Sequence, residues 1–258
     1  MERKHLLIDV QNNIGTITIN RPEQRNSLDV ESWEELRAAI RHLNDDGEVR
    51  VIVLTGAGDK SFAAGADIKW IKDRKPLDIY GSAVQDVLLE LYKSYKPIIA
   101  AVNGYALGGG CELMTACDFR IASSRAKMGQ PEINLGILPA GGGTQQLTKI
   151  VGLQHAKELI LTGKIISADE AYRIGLVNEV VEHEFLMDKV YSLASELASK
   201  PPVALKLAKI ALNESATADL STGLALEKAL QAVLFGTKDK VEGTEAFFDK
   251  REPKFVGE

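Results

Sequence analysis

Cysteine is almost absent: the 258 residues contain only Cys111 and Cys117. The two lie six positions apart in one largely apolar stretch. They read as small buried side chains rather than a disulfide and fit a reducing compartment. No Cys–His spacing suggests zinc. The four histidines, His5, His42, His155 and His183, are scattered, which argues against a histidine-based triad or a metal site. Aromatic residues make up 6% of the chain, with two tryptophans, so the walls of a sugar site are missing and a two-carboxylate glycosidase is a weak reading. No window reaches the ~18 uninterrupted apolar residues of a membrane span. The opening Met1-Glu2-Arg3-Lys4-His5 carries no apolar signal core and no Arg/Ser-rich presequence. A cytoplasmic protein is expected, although a mature organellar protein would read the same. Positive charge is not in excess either. A formal net charge of -5 offers no attraction to nucleic acid or anionic lipid, so neither is expected as a partner.

The chain is long enough to bury a core without a disulfide or metal staple. Hydrophobic residues at 45% and charged residues at 26% are ordinary for a globular domain. Leu6–Val10 and Ile14–Ile19 read as strands joined at Asn12-Asn13, a hairpin signal. Asp29 is placed to cap a helix through Leu43, with Trp33, Leu36, Ala39, Ile40 and Leu43 at helical spacing. Val49–Thr55 reads as a strand, Tyr80–Tyr95 as a helix, and Pro97–Val102 as a strand buried on both faces. Gly108–Ala116 starts a buried helix, and Phe119–Ala122 a short strand. Strands separated by helices predict parallel pairing through crossovers. From Gly152 onward helical patterns dominate, with a break at Pro201-Pro202. The expected organisation is an α/β core over residues 1–181 and a helical region over residues 182–258.

Three glycine-bearing runs hold the candidate chemistry. Ser61–Ile68 includes Ala63-Ala64-Gly65-Ala66-Asp67, small residues that let a ligand approach the main chain. Asn103–Glu112 turns through Gly108-Gly109-Gly110 into a helix, whose first N–H groups are unpaired and suit a developing oxyanion or a phosphate. Gly129–Gly136 contains Gln130-Pro131-Glu132 and is followed by Gly141-Gly142-Gly143-Thr144. None of these is a dinucleotide fingerprint or a Walker sequence. Each alone also reads as a tight turn. Glu112, in a first helical turn, is favoured there by the helix dipole whatever its function. Together the two glutamates matter more, because adding water across a double bond needs one group to take a proton and one to give it.

In combination these runs resemble the enoyl-CoA hydratase/isomerase (crotonase) superfamily over nearly the whole length, from Asn20-Arg21-Pro22 to Lys250–Phe255. The order is Asn-Arg-Pro, Ala-Ala-Gly-Ala-Asp-Ile, Gly-Gly-Gly-Cys-Glu, Gln-Pro-Glu and Gly-Gly-Thr-Gln. The two glutamates stand 20 positions apart, which is similar to the hydratase branch. The resemblance implies a crotonase-like α/β spiral of ββα units with a helical C-terminal trimerisation region, giving a homotrimer or homohexamer. It implies an acyl thioester of coenzyme A as substrate, with no further cofactor and no metal. Glu112 and Glu132 would be the catalytic acids, Glu112 activating water and Glu132 delivering the C2 proton. The backbone N–H groups of Ala66 and Gly109 would hold the thioester oxygen. Ala64, Ala66, Asp67, Ile68 and Lys69 would line the CoA arm, and Lys250 would approach its phosphates, donated by a neighbouring subunit.

The implied reaction is syn hydration of trans-2-enoyl-CoA to 3-hydroxyacyl-CoA, as in fatty acid β-oxidation. The same fold also runs double-bond isomerisation and specialised dehydration. An RNA-binding role is disfavoured by the net charge and by the amphipathic pattern around Leu205–Ile210. Met128, Gln146 and Trp70 depart from the residues common in the family, and Trp70 with the 72–80 loop is expected to border the acyl pocket.

Overall fold

The computed structural model describes residues 4–82 and 84–258, and the backbone alone of Lys69. Asn12 and Asn13 both take positive φ, 52° and 63°. Asparagine tolerates this conformation, and the pair turns β1 (Leu6–Gln11) back onto β2 (Ile14–Ile19) as an antiparallel hairpin. Asp29 caps α1 (Val30–Asp45) by accepting from the Ser32 N–H, and Trp33, Leu36, Ala39, Ile40 and Leu43 are buried along one face of the helix.

Three successive units then repeat one pattern. The first is β3 (Val51–Gly56), β4 (Ser61–Ala63) and the helices α2 (Ile68–Lys72), α3 (Pro76–Tyr80) and α4 (Val84–Tyr92). The second is β5 (Ile98–Val102), β6 (Tyr105–Leu107) and α5 (Gly109–Thr115). The third is β7 (Phe119–Ser123), β8 (Lys127–Gly129), a 3-10 turn at Pro131–Leu135 and α6 (Gly143–Thr162), which is broken at Gly152 (φ 78°, ψ 160°). The first strand of each unit enters a six-stranded sheet ordered β1-β2-β3-β5-β7-β10, and the second enters a four-stranded sheet ordered β4-β6-β8-β9. β9 (Ile165–Ser167), α7 (Ala168–Arg173) and β10 (Glu179–Val181) close the two sheets. Pairing is parallel from β2 to β10 and along β4-β6-β8, as crossover connections require.

The large sheet is covered on both faces. Ile52, Leu54, Ile98, Ala100 and Val102 join α1, α4, α5 and α6 in the main core. The intervening Val51, Val53, Ile99 and Ala101 meet Leu186, Val190, Ala194 and Ala198 of α8 (Leu186–Ala198) in a second core. This period-two division explains why β3 and β5 read as unbroken apolar runs. The remaining helices are α9 (Pro202–Glu214), α10 (Leu220–Leu234) and α11 (Lys238–Asp249). α9 reaches the core through polar contacts: Lys209 pairs with Asp118 at 2.7 Å, and Asn213 and Tyr92 exchange hydrogen bonds. A division at residue 181 remains a proposal.

Two sequence expectations need adjustment. The helix expected over Tyr80–Tyr95 is α4 alone, over Val84–Tyr92, the 72–80 stretch read as a loop holds α3, and residue 83 lies outside the described residues. The second sheet is built from three-residue strands, too short to show an alternating pattern in sequence.

Candidate active site

β4 and β6 run side by side and deliver two backbone segments to one place. β4 leads into Gly65 (φ 87°), and the turn after β6 passes through Gly108 (φ 54°) into α5. A methyl group on Gly65 would lie 2.8 Å from the Leu107 carbonyl oxygen and 3.7 Å from the Gly109 nitrogen. Glycine is therefore required at 65 for its positive φ and for the close approach of the two chains. Ala66 is tied down from outside, in a bridge with Leu28, whose N–H donates to the Gly65 carbonyl at 2.8 Å. Gly109 opens α5, so its N–H has no acceptor within the helix. The Ala66 and Gly109 amides thus sit on adjoining segments, with the buried Trp33 packed behind Gly109.

Both glutamates reach the same place. Glu112 lies one turn along α5, 4% exposed, and its Oε1 accepts from the Gly141 and Gly143 N–H groups at 2.7 and 2.8 Å. Those donors come from the loop entering α6, so the positive end of that helix also faces the carboxylate. Burial pushes the Glu112 carboxyl above its ordinary range, while the two N–H groups act in the opposite direction. Glu132, at the start of the 3-10 turn, lies against the head of α5: a methyl group on Gly108 would be 3.1 Å from its Oε1. Burial raises the Glu132 carboxyl to about 7, offset in part by its own backbone N–H and reinforced by the charge of Glu112. The fully buried Gln130, in the amide orientation that satisfies both its ends, donates to the two Glu132 oxygens at 2.9 and 3.2 Å. Burial, reinforced by the charges of Glu132 and Glu112, pushes the Cys111 thiol well above its ordinary range.

The other expected residues lie around this centre or apart from it. Ala64 donates its N–H to the Arg25 carbonyl at 3.1 Å. Asp67 is half-buried, and Ile68 opens α2 with its side chain exposed. The Lys69 side chain lies outside the described residues. Lys250 is exposed at the end of α11, and no hydrogen bond or ion pair among the described residues joins it to the glutamates. Trp70 is half-buried, with the Arg74 guanidinium 4.1 Å from its ring centre. Among the described residues, no group of three or more His, Cys, Asp or Glu is arranged to hold a metal ion. Sequence reasoning missed the parts of Gly141, Gly143 and Gln130. The glycine run was visible, but nothing local told which side chain its amides would meet.

The family model described as enoyl-CoA hydratase/isomerase matches residues 9–258. The chain is 42% identical over 258 residues to a crotonyl-CoA hydratase of Syntrophomonas wolfei, covering 99% of each chain. It is 44% identical to a short-chain-enoyl-CoA hydratase of Clostridium acetobutylicum, covering 97% of each. The crystal structure of an enoyl-CoA hydratase from Bacillus anthracis superposes with a TM-score of 0.96 at 41% identity, covering 99% of this chain and 100% of that one.

Proposed function

The chain belongs to the enoyl-CoA hydratase/isomerase family, and on that premise we propose that it hydrates trans-2-enoyl-CoA to 3-hydroxyacyl-CoA through Glu112, Glu132 and the Ala66 and Gly109 amides. One observation carries this reading. Two carboxylates in unlike surroundings, a buried Glu112 held by paired amides and a half-buried Glu132 raised to about 7, meet at the start of α5.

The chemistry follows from those surroundings. An enoyl thioester is a poor electrophile at C3 until its carbonyl oxygen can take up charge. The Ala66 and Gly109 N–H groups accept that charge as an enolate develops, and one such donor contributes ~3 kcal/mol to a transition state. Glu112, whose charged form the Gly141 and Gly143 N–H groups favour against the larger effect of burial, takes a proton from water as the oxygen bonds to C3. Glu132, protonated near neutrality, gives its proton to C2. Both acids lie at one end of α5, which favours syn addition. Passing the proton from Glu112 to Glu132 resets the pair, and the net change is one water added. Oxidation state is unaltered, so no redox cofactor enters, and the coenzyme A is part of the substrate.

Assembly and location belong to the same reading. α10, the Phe235 that ends it and α11 expose Leu220, Phe235, Phe247 and Phe248, large apolar groups that suit burial against further copies, as a homotrimer or homohexamer. A cytoplasmic location fits as well, and no helix among the described residues is long and apolar enough to cross a membrane. The decisive assay compares crotonyl-CoA with a 3-enoyl-CoA. Hydration of the first and no shift of the second is expected, and turnover of the second alone would replace the hydratase with an isomerase.

A further inference from the structure

We propose that Gln85, on the outer helix α4, is a positioning residue that keeps the Ala140–Gly141 peptide turned so that its N–H points at Glu112. The kinetic consequence rests on the hydratase reading, whereas the structural link does not.

The argument begins with one planar unit. In a trans peptide the carbonyl and the N–H project in opposite directions. The Gln85 Nε2 donates to the Ala140 carbonyl oxygen at 2.8 Å, and the N–H of the same peptide, on Gly141, donates to Glu112 Oε1 at 2.7 Å. Fixing one side of the plane therefore fixes the other. The loop offers little steric resistance to turning that plane, because Gly141 has no side chain and Gly142 follows at φ 107°. A flipped plane would withdraw one of the two amides from Glu112 and set a carbonyl oxygen against a carboxylate. Donation from Gln85 opposes the flip and polarises the peptide toward a stronger N–H.

α4 is built to act as this brace. Leu88, one turn beyond Gln85, packs on the same loop: a methyl group on Gly141 would lie 2.5 Å from its Cδ1. The far end of the helix is anchored to α1, where Glu90 pairs with Arg37 at 2.8 Å and with Arg41 at 2.5 Å. The groups that could confuse a titration of Glu112 are few. Glu132 and the protonated Cys111 lie beside it, the 139–143 loop carries no charged residue, and α4 directs Asp86 and Glu90 toward α1.

The test uses Gln85→Met, which keeps the length and adds no charge but cannot donate to the Ala140 carbonyl, with Gln85→Ala beside it. Leu89→Ala, exposed on the same helix, controls for loss of helix stability. Carboxyl carbon NMR follows the titration of Glu112, assigned with Glu112→Gln, and crotonyl-CoA hydration gives kcat and KM. For Gln85→Met the Glu112 titration is expected to move up by roughly one unit and kcat to fall about tenfold with KM nearly unchanged, the scale of one hydrogen bond to a charged group. Because Glu112 must be ionised to take the water proton, the acid limb of the rate profile moves to higher pH. Leu89→Ala is expected to move neither. An unshifted titration in Gln85→Met, or the same shift in Leu89→Ala, overturns the proposal. If the wild type fails to hydrate crotonyl-CoA the hydratase reading falls, and the titration still decides the role of Gln85.

Discussion

Every residue of β3, from Val51 to Gly56, is buried, whereas α9 and α10 bury none. Both regions are rich in apolar side chains. The strand divides its side chains between two faces, and each face finds a helix of the same chain: α1 with α4–α6 on one side, α8 on the other. α9 instead docks through polar pairs such as Lys209–Asp118, and α10 and α11 leave Leu220, Leu224, Phe247 and Phe248 open. A buried layer needs apolar groups on both sides of the chain at every position, and a helix leaves one face free when nothing of its own chain covers it. The contrast extends to charge. Glu112 and Glu132 in the closed region are raised by burial, while the Lys238–Glu258 ion pair of the helical tail is exposed and is expected to contribute little.

The largest effect is expected where the closed region holds its chemistry. Glu132→Gln removes the proposed proton donor without changing the volume, and kcat is expected to fall about 10²- to 10⁴-fold with thioester binding retained. Stopped-flow turnover and an equilibrium titration with a saturated acyl-CoA separate the two quantities, and near-normal turnover would break the assignment.

The contrast between the regions is sharpened by a pair of changes. Leu54→Ala opens a cavity between the sheet and its helices and is expected to cost about 2–5 kcal/mol in denaturant unfolding. Phe247→Asp together with Phe248→Asp should leave the fold intact and lower the mass seen in sedimentation, since their rings are 80% and 81% exposed in the single chain. Unchanged mass would mean that the open face is not a subunit contact.

The smallest effect is one of pH. Glu132 keeps its proton in the folded state up to about 7, so the stability it contributes is full below the ordinary carboxylate range and is lost as pH rises toward that value. Glu132→Gln is expected to flatten this decline, read as urea midpoints from about pH 5 to about pH 8. The same titration should lower turnover on the alkaline side, where the C2 proton donor is gone.

Much of the large sheet was legible in the chain. Uninterrupted apolar runs at Val51–Leu54 and Ile98–Val102 meant burial on both faces, Asn12-Asn13 marked a turn, and Asp29 marked a helix start. The short strands β4, β6, β8 and β9 were not legible, because three residues carry no period. The motif order placed Glu112, Glu132, Ala66 and Gly109 as candidates. It could not say that Gly141 and Gly143 come from a separate loop to hold Glu112, nor that Gln85 reaches the other side of that loop.

Residue order alone determined the helix faces, the buried strands and the turn positions, because these depend on spacing within a few residues. Only the tertiary structure decided which amide meets which carboxylate, which glutamate is raised to about 7, and which apolar faces remain open. Those outcomes depend on distance and on exclusion of water, and segments far apart in the chain set both.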